Sequence, residues 1–156
     1  MGDKVKKSLI ISLLISLGVG GLSALFTMGS MDIYKYLDKP PLAPPSIVFP
    51  IVWTILFILM GISAYLIYES NSENKQSALL IYGIQLLVNF LWPIFFFVLT
   101  NRLIALFIII TLLILIVVMI VKFFKINKLA AYLQIPYLIW VAFATYLNLG
   151  FYILNG

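Results

Sequence analysis

Charged residues divide the chain into five long windows that carry no charge. These windows cover residues 8–31, 40–68, 76–101, 103–121 and 129–156. Each is long enough for a helix to cross the hydrocarbon core of a bilayer, which takes about 20 apolar residues. The apolar runs are continuous and lack the alternation of a membrane β-barrel strand. The pattern predicts an all-α integral membrane protein, a bundle of five transmembrane helices that forms a single domain over residues 1–156. The predicted helices cover approximately residues 8–30, 46–68, 77–100, 103–122 and 129–154.

The first window also has features of a cleaved signal peptide, since lysines precede an apolar run that ends in small residues near Ser23. Two features favour a retained helix instead. The apolar stretch runs past any plausible cleavage site, and small residues recur at every fourth position. Such a stripe lets helix backbones approach closely in a membrane. Its members are Ser8, Ser12, Ser16, Gly20 and Ala24.

Basic residues in the loops predict how the chain is oriented. With five spans, the N-terminal tail, the second loop and the fourth loop share one side of the membrane. That side holds seven lysines, against three basic residues on the other side. The positive-inside rule then places the N-terminus in the cytoplasm and the C-terminus outside. The seven are Lys4, Lys6, Lys7, Lys75, Lys122, Lys125 and Lys128, and the three are Lys35, Lys39 and Arg102.

The composition excludes several classes of function. Of the 156 residues, 64% are hydrophobic and 10% are charged, against roughly 45–50% and about 25% in a soluble domain, so a soluble enzyme is excluded. The chain has no His and no Cys, and we therefore expect no metal site, no cofactor and no thiol nucleophile. All acidic residues lie in the tail or the loops, which argues against an ion-coupled transporter. The net charge of +5 indicates membrane topology and affinity for anionic lipid rather than nucleic-acid binding.

Three of the predicted helices each present a tryptophan beside amide, aromatic or small side chains on one face. Interhelical hydrogen bonding and packing would account for each face taken alone. Taken together, the faces indicate a cavity with aromatic walls for a flat, largely apolar ligand. They consist of Phe49, Trp53 and Phe57 in the second helix, Gln85, Asn89 and Trp92 in the third, and Trp140, Ala144 and Asn148 in the fifth.

The remaining two segments are the fourth helix and the first loop. The fourth helix carries only Thr111 as a polar side chain, so we expect it to face lipid or a second subunit.

Residues 38–45 hold four of the seven prolines, which predicts a stiff, extended loop. This loop is either a simple connector or a rigid lid over the bundle.

Three sequence blocks resemble the TspO/MBR family, which comprises the tryptophan-rich sensory proteins of bacteria and the mitochondrial translocator protein, or peripheral benzodiazepine receptor. The first block is KPPLAPP at residues 39–45, followed by FPIVWT at 49–54 and LMG at 59–61. The second is NFLWPIFF at 89–96, and the third is PYLIWVAFATYLN at 136–148. Their order, their spacing and the five spans are similar to those of a bacterial-type member over nearly the whole chain.

The resemblance implies a five-helix bundle in the lipid bilayer, usually a homodimer, with a pocket beneath the loop after the first helix. It implies a receptor or sensor in a bacterial cell membrane that binds porphyrins such as protoporphyrin IX and related flat hydrophobic molecules. Trp53 and Trp140 match the tryptophans implicated in porphyrin handling, and Tyr34 resembles a loop aromatic that reaches the ligand. The expected ligand-binding set is Tyr34, Trp53, Phe57, Asn89, Trp92, Phe96, Trp140, Phe143 and Ala144.

The resemblance leaves the activity open between three hypotheses. A receptor would carry or sequester a porphyrin stacked between Trp53 and Trp140, either the metal-free macrocycle or haem held without axial His ligation. An enzyme would degrade the porphyrin with light and oxygen through the same two tryptophans. The third hypothesis is a passive transporter of apolar molecules or an accessory subunit.

Two positions depart from the family pattern. Leu42 stands where the family commonly has Trp. The family's sterol motif needs a basic residue soon after a Tyr near the end of the fifth helix. No Lys or Arg follows Lys128, so Tyr146 and Tyr152 do not complete that motif, which argues against sterol binding.

Overall fold

The computed structural model describes residues 2–30 and 32–156, which form seven α-helices and one π-helical turn. The elements are α1 (Gly2–Thr27), α2 (Ile33–Tyr36), α3 (Val48–Tyr68), α4 (Lys75–Pro93), the π-helical turn (Ile94–Val98), α5 (Arg102–Ile126), α6 (Lys128–Leu133) and α7 (Ile135–Asn155). Together they contain five helical segments that are long and apolar enough to cross a membrane. The predicted all-helical fold with five spans is confirmed. Lys4, counted above among the basic residues, lies outside the side chains that are described.

Most helix ends differ from the predicted ones by a few residues, and three of the differences have a physical explanation. α1 begins at Gly2 rather than at residue 8, because the charged tail continues the helix and Asp3 lies in the first turn, where the helix dipole favours an acid. α5 continues to Ile126 rather than to residue 122, since long lysine side chains can carry their charge to the membrane surface. The fifth span is divided between α6 and α7 at Gln134, shortly before Pro136 disfavours continuous helix.

The third span ends in a π-helical turn that directly follows Pro93. Proline has no amide hydrogen, and its ring clashes with the carbonyl four residues earlier. The turn that follows is wider than an α-helical one, and the Leu99 N–H donates to the Ile94 carbonyl at 2.9 Å. π-helical turns are frequent at functional sites. This one carries the buried rings of Phe96 and Phe97.

α1 packs along α3 through part of the stripe of small residues found in the sequence. The Ser12 hydroxyl donates to the Gly61 carbonyl at 2.6 Å, and the Ser16 hydroxyl donates to the Phe57 carbonyl at 2.8 Å. A methyl group added to Gly61 would lie 2.8 Å from Ser16 Oγ and 3.1 Å from Leu13 Cα. Small side chains thus allow the close approach of backbones that stabilises helix pairs in membranes.

α5 has one buried face and one exposed face. The buried face packs against α4 and α7. The other face, which includes Phe107, Ile114 and Val117, is exposed. The expectation that this helix faces lipid or a second subunit can therefore apply to its exposed face only, because a uniformly apolar sequence does not reveal which face packs. The buried face consists of Ala105, Ile109, Leu112, Ile116, Met119 and Phe123.

Replacing Gly61 with Ala tests the close approach of α1 and α3. The added methyl group would lie 2.8 Å from Ser16 Oγ and 2.9 Å from a Leu13 methyl carbon. We expect the free energy of unfolding to fall by about 1–3 kcal/mol, the usual cost of overpacking. The measurement is thermal unfolding in detergent, followed by tryptophan fluorescence.

Gly83→Ala is the matched control, because nothing lies within 4 Å of a methyl group added there. Alanine favours helix over glycine by about 1 kcal/mol, so the control should have an equal or higher Tm. Equal Tm values for Gly61→Ala and the unmodified protein would contradict the close packing.

Candidate functional site

A cavity of about 260 Å³ lies between α1, α3, α4 and the π-helical turn, and is called the main cavity below. Small side chains of α1 form one part of its wall, and aromatic rings form another. Its polar side chains are Ser23, Thr27 and Asn89. Such a cavity suits a flat, mostly apolar molecule with few polar groups. The α1 residues are Gly20, Ser23, Ala24 and Thr27, with Met28 directly after the helix, and the aromatic residues are Phe49, Trp53, Phe57, Trp92 and Phe97.

Helical spacing brings the aromatic rings of α3 into this wall. Phe49, Trp53 and Phe57 lie four residues apart and therefore share one face of the helix. The ring centroids of Trp53 and Phe57 are 5.7 Å apart. Gly20 of α1 leaves room for the Phe57 ring, since a methyl group on Gly20 would lie 2.6 Å from it. The glycine thus determines how close the aromatic wall comes to α1.

Side-chain amides of α4 connect it to α7 through buried hydrogen bonds. Asn89 Nδ2 donates to the Tyr137 hydroxyl at 2.6 Å, and that hydroxyl donates to Gln85 Oε1 at 2.7 Å. Trp92 Nε1 donates to Asn148 Oδ1 at 2.8 Å. Interhelical hydrogen bonding, the simpler interpretation of these amides, is confirmed. The same bonds keep the face of α4 that carries Asn89 and Trp92 turned toward the main cavity.

Arg102, the first residue of α5, is a cation that is only 8% exposed. Its backbone carbonyl accepts a hydrogen bond from Asn148 Nδ2 at 2.9 Å. Its guanidinium carbon lies 5.9 Å from the ring centroid of Phe96, within reach of a cation–π interaction. Asn148 therefore bonds to both α4 and α5 and ties three helices together.

The nine predicted ligand-binding residues fall into three groups. Those on the main cavity are Trp53, Phe57, Asn89 and Trp92. Those on a much smaller void beside it are Tyr34, Phe96 and Ala144, and this void shares Phe49, Trp92 and Phe97 with the main cavity. Those on a surface groove of about 450 Å³ between α3 and α7 are Trp140 and Phe143.

Trp53 and Trp140 do not face each other across one cavity. The Phe49 ring, which lines the main cavity with Trp53, packs against Trp140 with the ring centroids 5.8 Å apart. The inward face of α7 is formed by Tyr137 and Ala144, both buried, whereas Trp140 is half-buried and lines the surface groove. A ligand stacked between Trp53 and Trp140, as the receptor hypothesis states, does not match this arrangement.

The loop between α1 and α3 is docked on the C-terminal half of α7. Pro40 packs so closely on Gly150 that a methyl group on the glycine would lie 2.5 Å from the proline ring. The Asn155 side chain bonds to both backbone groups of Asp38, at 3.0 Å from the N–H and 2.9 Å from the carbonyl. The proline segment is not helical, as predicted, but the short helix α2 precedes it. These contacts hold the loop against the bundle, as the lid hypothesis requires.

Tyr34 anchors this loop from within. Its side chain is 2% exposed, and its ring packs against Phe49 and Phe151 at centroid distances of 5.3 and 5.4 Å. Its hydroxyl donates to the Pro44 carbonyl. Burial raises the pKa of Tyr34 above its ordinary value, so the hydroxyl keeps the proton that it donates. Lys39 Nζ lies 5.1 Å from the ring centroid and adds a cation–π contact.

Comparison with known proteins agrees with this architecture. The sequence model of the TspO/MBR family matches residues 11–154. The chain belongs to the TspO/MBR family. The tryptophan-rich protein TspO of Archaeoglobus fulgidus is 38% identical over 149 residues, which are 95% of this chain and 97% of that protein. The protein of the same name from Chlorobaculum tepidum is 36% identical over 90% of this chain and 91% of its own length. The human translocator protein is 33% identical over 74% of this chain and 70% of its own length.

Sequence reasoning missed two parts of the site in this TspO/MBR protein. The small residues of α1 were assigned to helix packing alone, yet Gly20 and Ala24 also line the main cavity. The sequence does contain an indication of this second role, because the stripe of small residues continues beyond Ser16 toward the loop that covers the bundle. Tyr137 lies in a family-like block, but no spacing rule indicates that its hydroxyl bridges Gln85 and Asn89 of another helix.

Replacing Tyr34 with Phe tests whether this residue anchors the TspO/MBR loop. The change removes the hydrogen bond to the Pro44 carbonyl and keeps the ring. Such a bond contributes about 1 kcal/mol, so we expect amide hydrogen exchange in residues 42–47 to become about fivefold faster. The measurement is hydrogen–deuterium exchange with mass spectrometry in nanodiscs.

Tyr36→Phe is the matched control, since Tyr36 belongs to the same short helix but is 86% exposed. It should leave the exchange of this segment unchanged. Equal exchange in both variants and the unmodified protein would show that the Tyr34 hydroxyl does not hold the loop.

Proposed function

We propose that this protein is a membrane receptor or sensor that binds a flat hydrophobic tetrapyrrole, of which protoporphyrin IX is the type, in the main cavity. The observation that carries the proposal is an aromatic wall in which Trp53 and Trp92 accompany a buried amide, Asn89. The name of one relative, the tryptophan-rich sensory protein of Cereibacter sphaeroides, supports a sensor role.

Aromatic surface, rather than axial ligation by His or Cys, is the chemistry available for recognition. The chain has no His and no Cys, so two common axial ligands of haem iron are absent. Aromatic contacts contribute about 0.5–1.5 kcal/mol each beyond the burial of apolar area. Trp53 and Phe57 offer tilted, neighbouring rings against which a macrocycle could pack. The proposed ligand is therefore the metal-free porphyrin.

The cavity must widen to admit such a ligand. Its 260 Å³ is below the usual range of about 300–1,000 Å³ for ligand sites, and a tetrapyrrole needs more room. The small void behind Phe49, Trp92 and Phe97 shares these rings with the main cavity, so their movement would join the two spaces. Tyr34 lines that void and anchors the loop. We expect ligand binding to displace these rings and to loosen the loop.

The geometry favours binding over the light-dependent degradation considered from the sequence. That activity would use Trp53 and Trp140 on one bound porphyrin. Only Trp53 belongs to the main cavity, and Trp140 lines the groove on the other side of Phe49. A receptor needs only the surface that Trp53 and its neighbours provide.

Filling each cavity in turn tests where the ligand binds. Ala24→Phe places a ring in the main cavity, and Ile139→Phe places the same ring in the surface groove. Both residues are exposed and neither makes a side-chain hydrogen bond, so both variants should fold. We expect Ala24→Phe to weaken protoporphyrin IX binding at least tenfold, because the ring occupies the space that the ligand needs, and Ile139→Phe to leave it unchanged.

The measurement is a titration of the protein in nanodiscs with protoporphyrin IX, followed by quenching of tryptophan fluorescence. Neither substitution changes the number of tryptophans, so the signals are directly comparable. Unchanged affinity in Ala24→Phe would overturn the assignment to the main cavity. A loss confined to Ile139→Phe would place the site in the surface groove instead.

A further inference from the structure

A separate apolar groove lies at the opposite end of the bundle, where α5 ends and α6 begins. Its volume is about 250 Å³, and it shares no residue with the main cavity. The aromatic side chains in its wall are open to the surroundings, with Phe124 44% exposed and Tyr132 57% exposed. In a bilayer, an apolar groove on the outside of a helix bundle is filled by an acyl chain. The wall includes Val121, Phe124, Lys125, Ala131, Tyr132 and Ile135.

Positive charge is concentrated at this groove. Lys125 belongs to its wall, and Lys128 Nζ lies 5.6 Å from the ring centroid of Phe124. Among the described residues, 2–30 and 32–156, one salt bridge is present. It joins Lys35 to Asp32 in the loop at the other end of the bundle. Lys125 and Lys128 therefore lie beside apolar surface and form no salt bridge with a described carboxylate.

We propose that this groove binds an anionic phospholipid, with an acyl chain along Phe124 and Tyr132 and the phosphate between Lys125 and Lys128. Basic pockets between transmembrane helices on the cytoplasmic side are recognised sites for anionic headgroups. Each lysine that lies beside the bound headgroup raises the affinity for anionic lipid about fivefold. A tyrosine at the level of the headgroups, such as Tyr132, is typical of the membrane interface. This site is independent of the proposed tetrapyrrole cavity.

Removal of the two lysines tests the headgroup contact. We expect Lys125→Gln with Lys128→Gln to weaken binding of phosphatidylglycerol about 25-fold, and Lys125→Arg with Lys128→Arg to keep it. The matched control is Lys6→Gln with Lys7→Gln, which removes the same charge from the same end of the bundle and should change binding little. The measurement is native mass spectrometry of the detergent-solubilised protein with phosphatidylglycerol and with phosphatidylcholine of identical acyl chains.

A substitution that fills the groove with a larger side chain tests the acyl-chain contact separately. Val121 lines the groove and is 50% exposed, so Val121→Trp should fold while occupying the space of the chain. We expect it to weaken phosphatidylglycerol binding at least fivefold, although all lysines remain. The chainless analogue of this lipid, glycerophosphoglycerol, should not displace it.

Three results would overturn the proposal. These are equal binding of phosphatidylglycerol and phosphatidylcholine, equal losses in the Lys125/Lys128 and Lys6/Lys7 variants, and unchanged lipid binding in Val121→Trp. Each variant is first compared with the unmodified protein by its Tm, so that a loss of lipid is separated from a loss of fold.

Discussion

A polar side chain inside a bilayer has no water to bond to, so it must find its partner within the protein. In this protein that constraint acts chiefly on the amides of α4 and α7. Asn148 bonds to the Trp92 indole and to the Arg102 carbonyl, and Tyr137 joins Gln85 to Asn89. The rotation of α4 and α7 about their axes follows from these bonds. The Trp92 ring is thereby held in the cavity wall, and Trp140 is left at the surface groove.

The second feature that determines where the main cavity lies is the variation in side-chain size along α1. At Ser12 and Ser16 the helix lies directly against α3, bonded to its carbonyls and in contact with Gly61. Nearer the loop, Ala24 and its small neighbours face the aromatic stripe of α3, and the space between them is the main cavity. The loop anchored by Tyr34 lies beside that space. Closure of the main cavity by this loop therefore depends on the packing of the buried Tyr34 ring.

The sequence alone predicts the five spans, because charge clusters and window lengths depend on local composition. It also predicts which α3 residues share a face, since Phe49, Trp53 and Phe57 obey helical spacing. It does not predict that Trp140 and Trp53 line different cavities, because the rotation of α7 depends on hydrogen bonds to another helix. Likewise, the apolar sequence of α5 does not distinguish its packed face from its exposed one. Contacts between helices distant in the chain decide both points.

The tetrapyrrole site that we propose is the cavity shared by Trp53 and Trp92. The chain has three tryptophans, so protein labelled with 5-fluorotryptophan gives three ¹⁹F NMR resonances that single substitutions assign. A porphyrin ring current strongly shifts nuclei close to the macrocycle. On addition of protoporphyrin IX, the Trp53 and Trp92 resonances should shift while that of Trp140 stays nearly unchanged. A large shift of Trp140 with Trp53 and Trp92 unaffected would contradict the account.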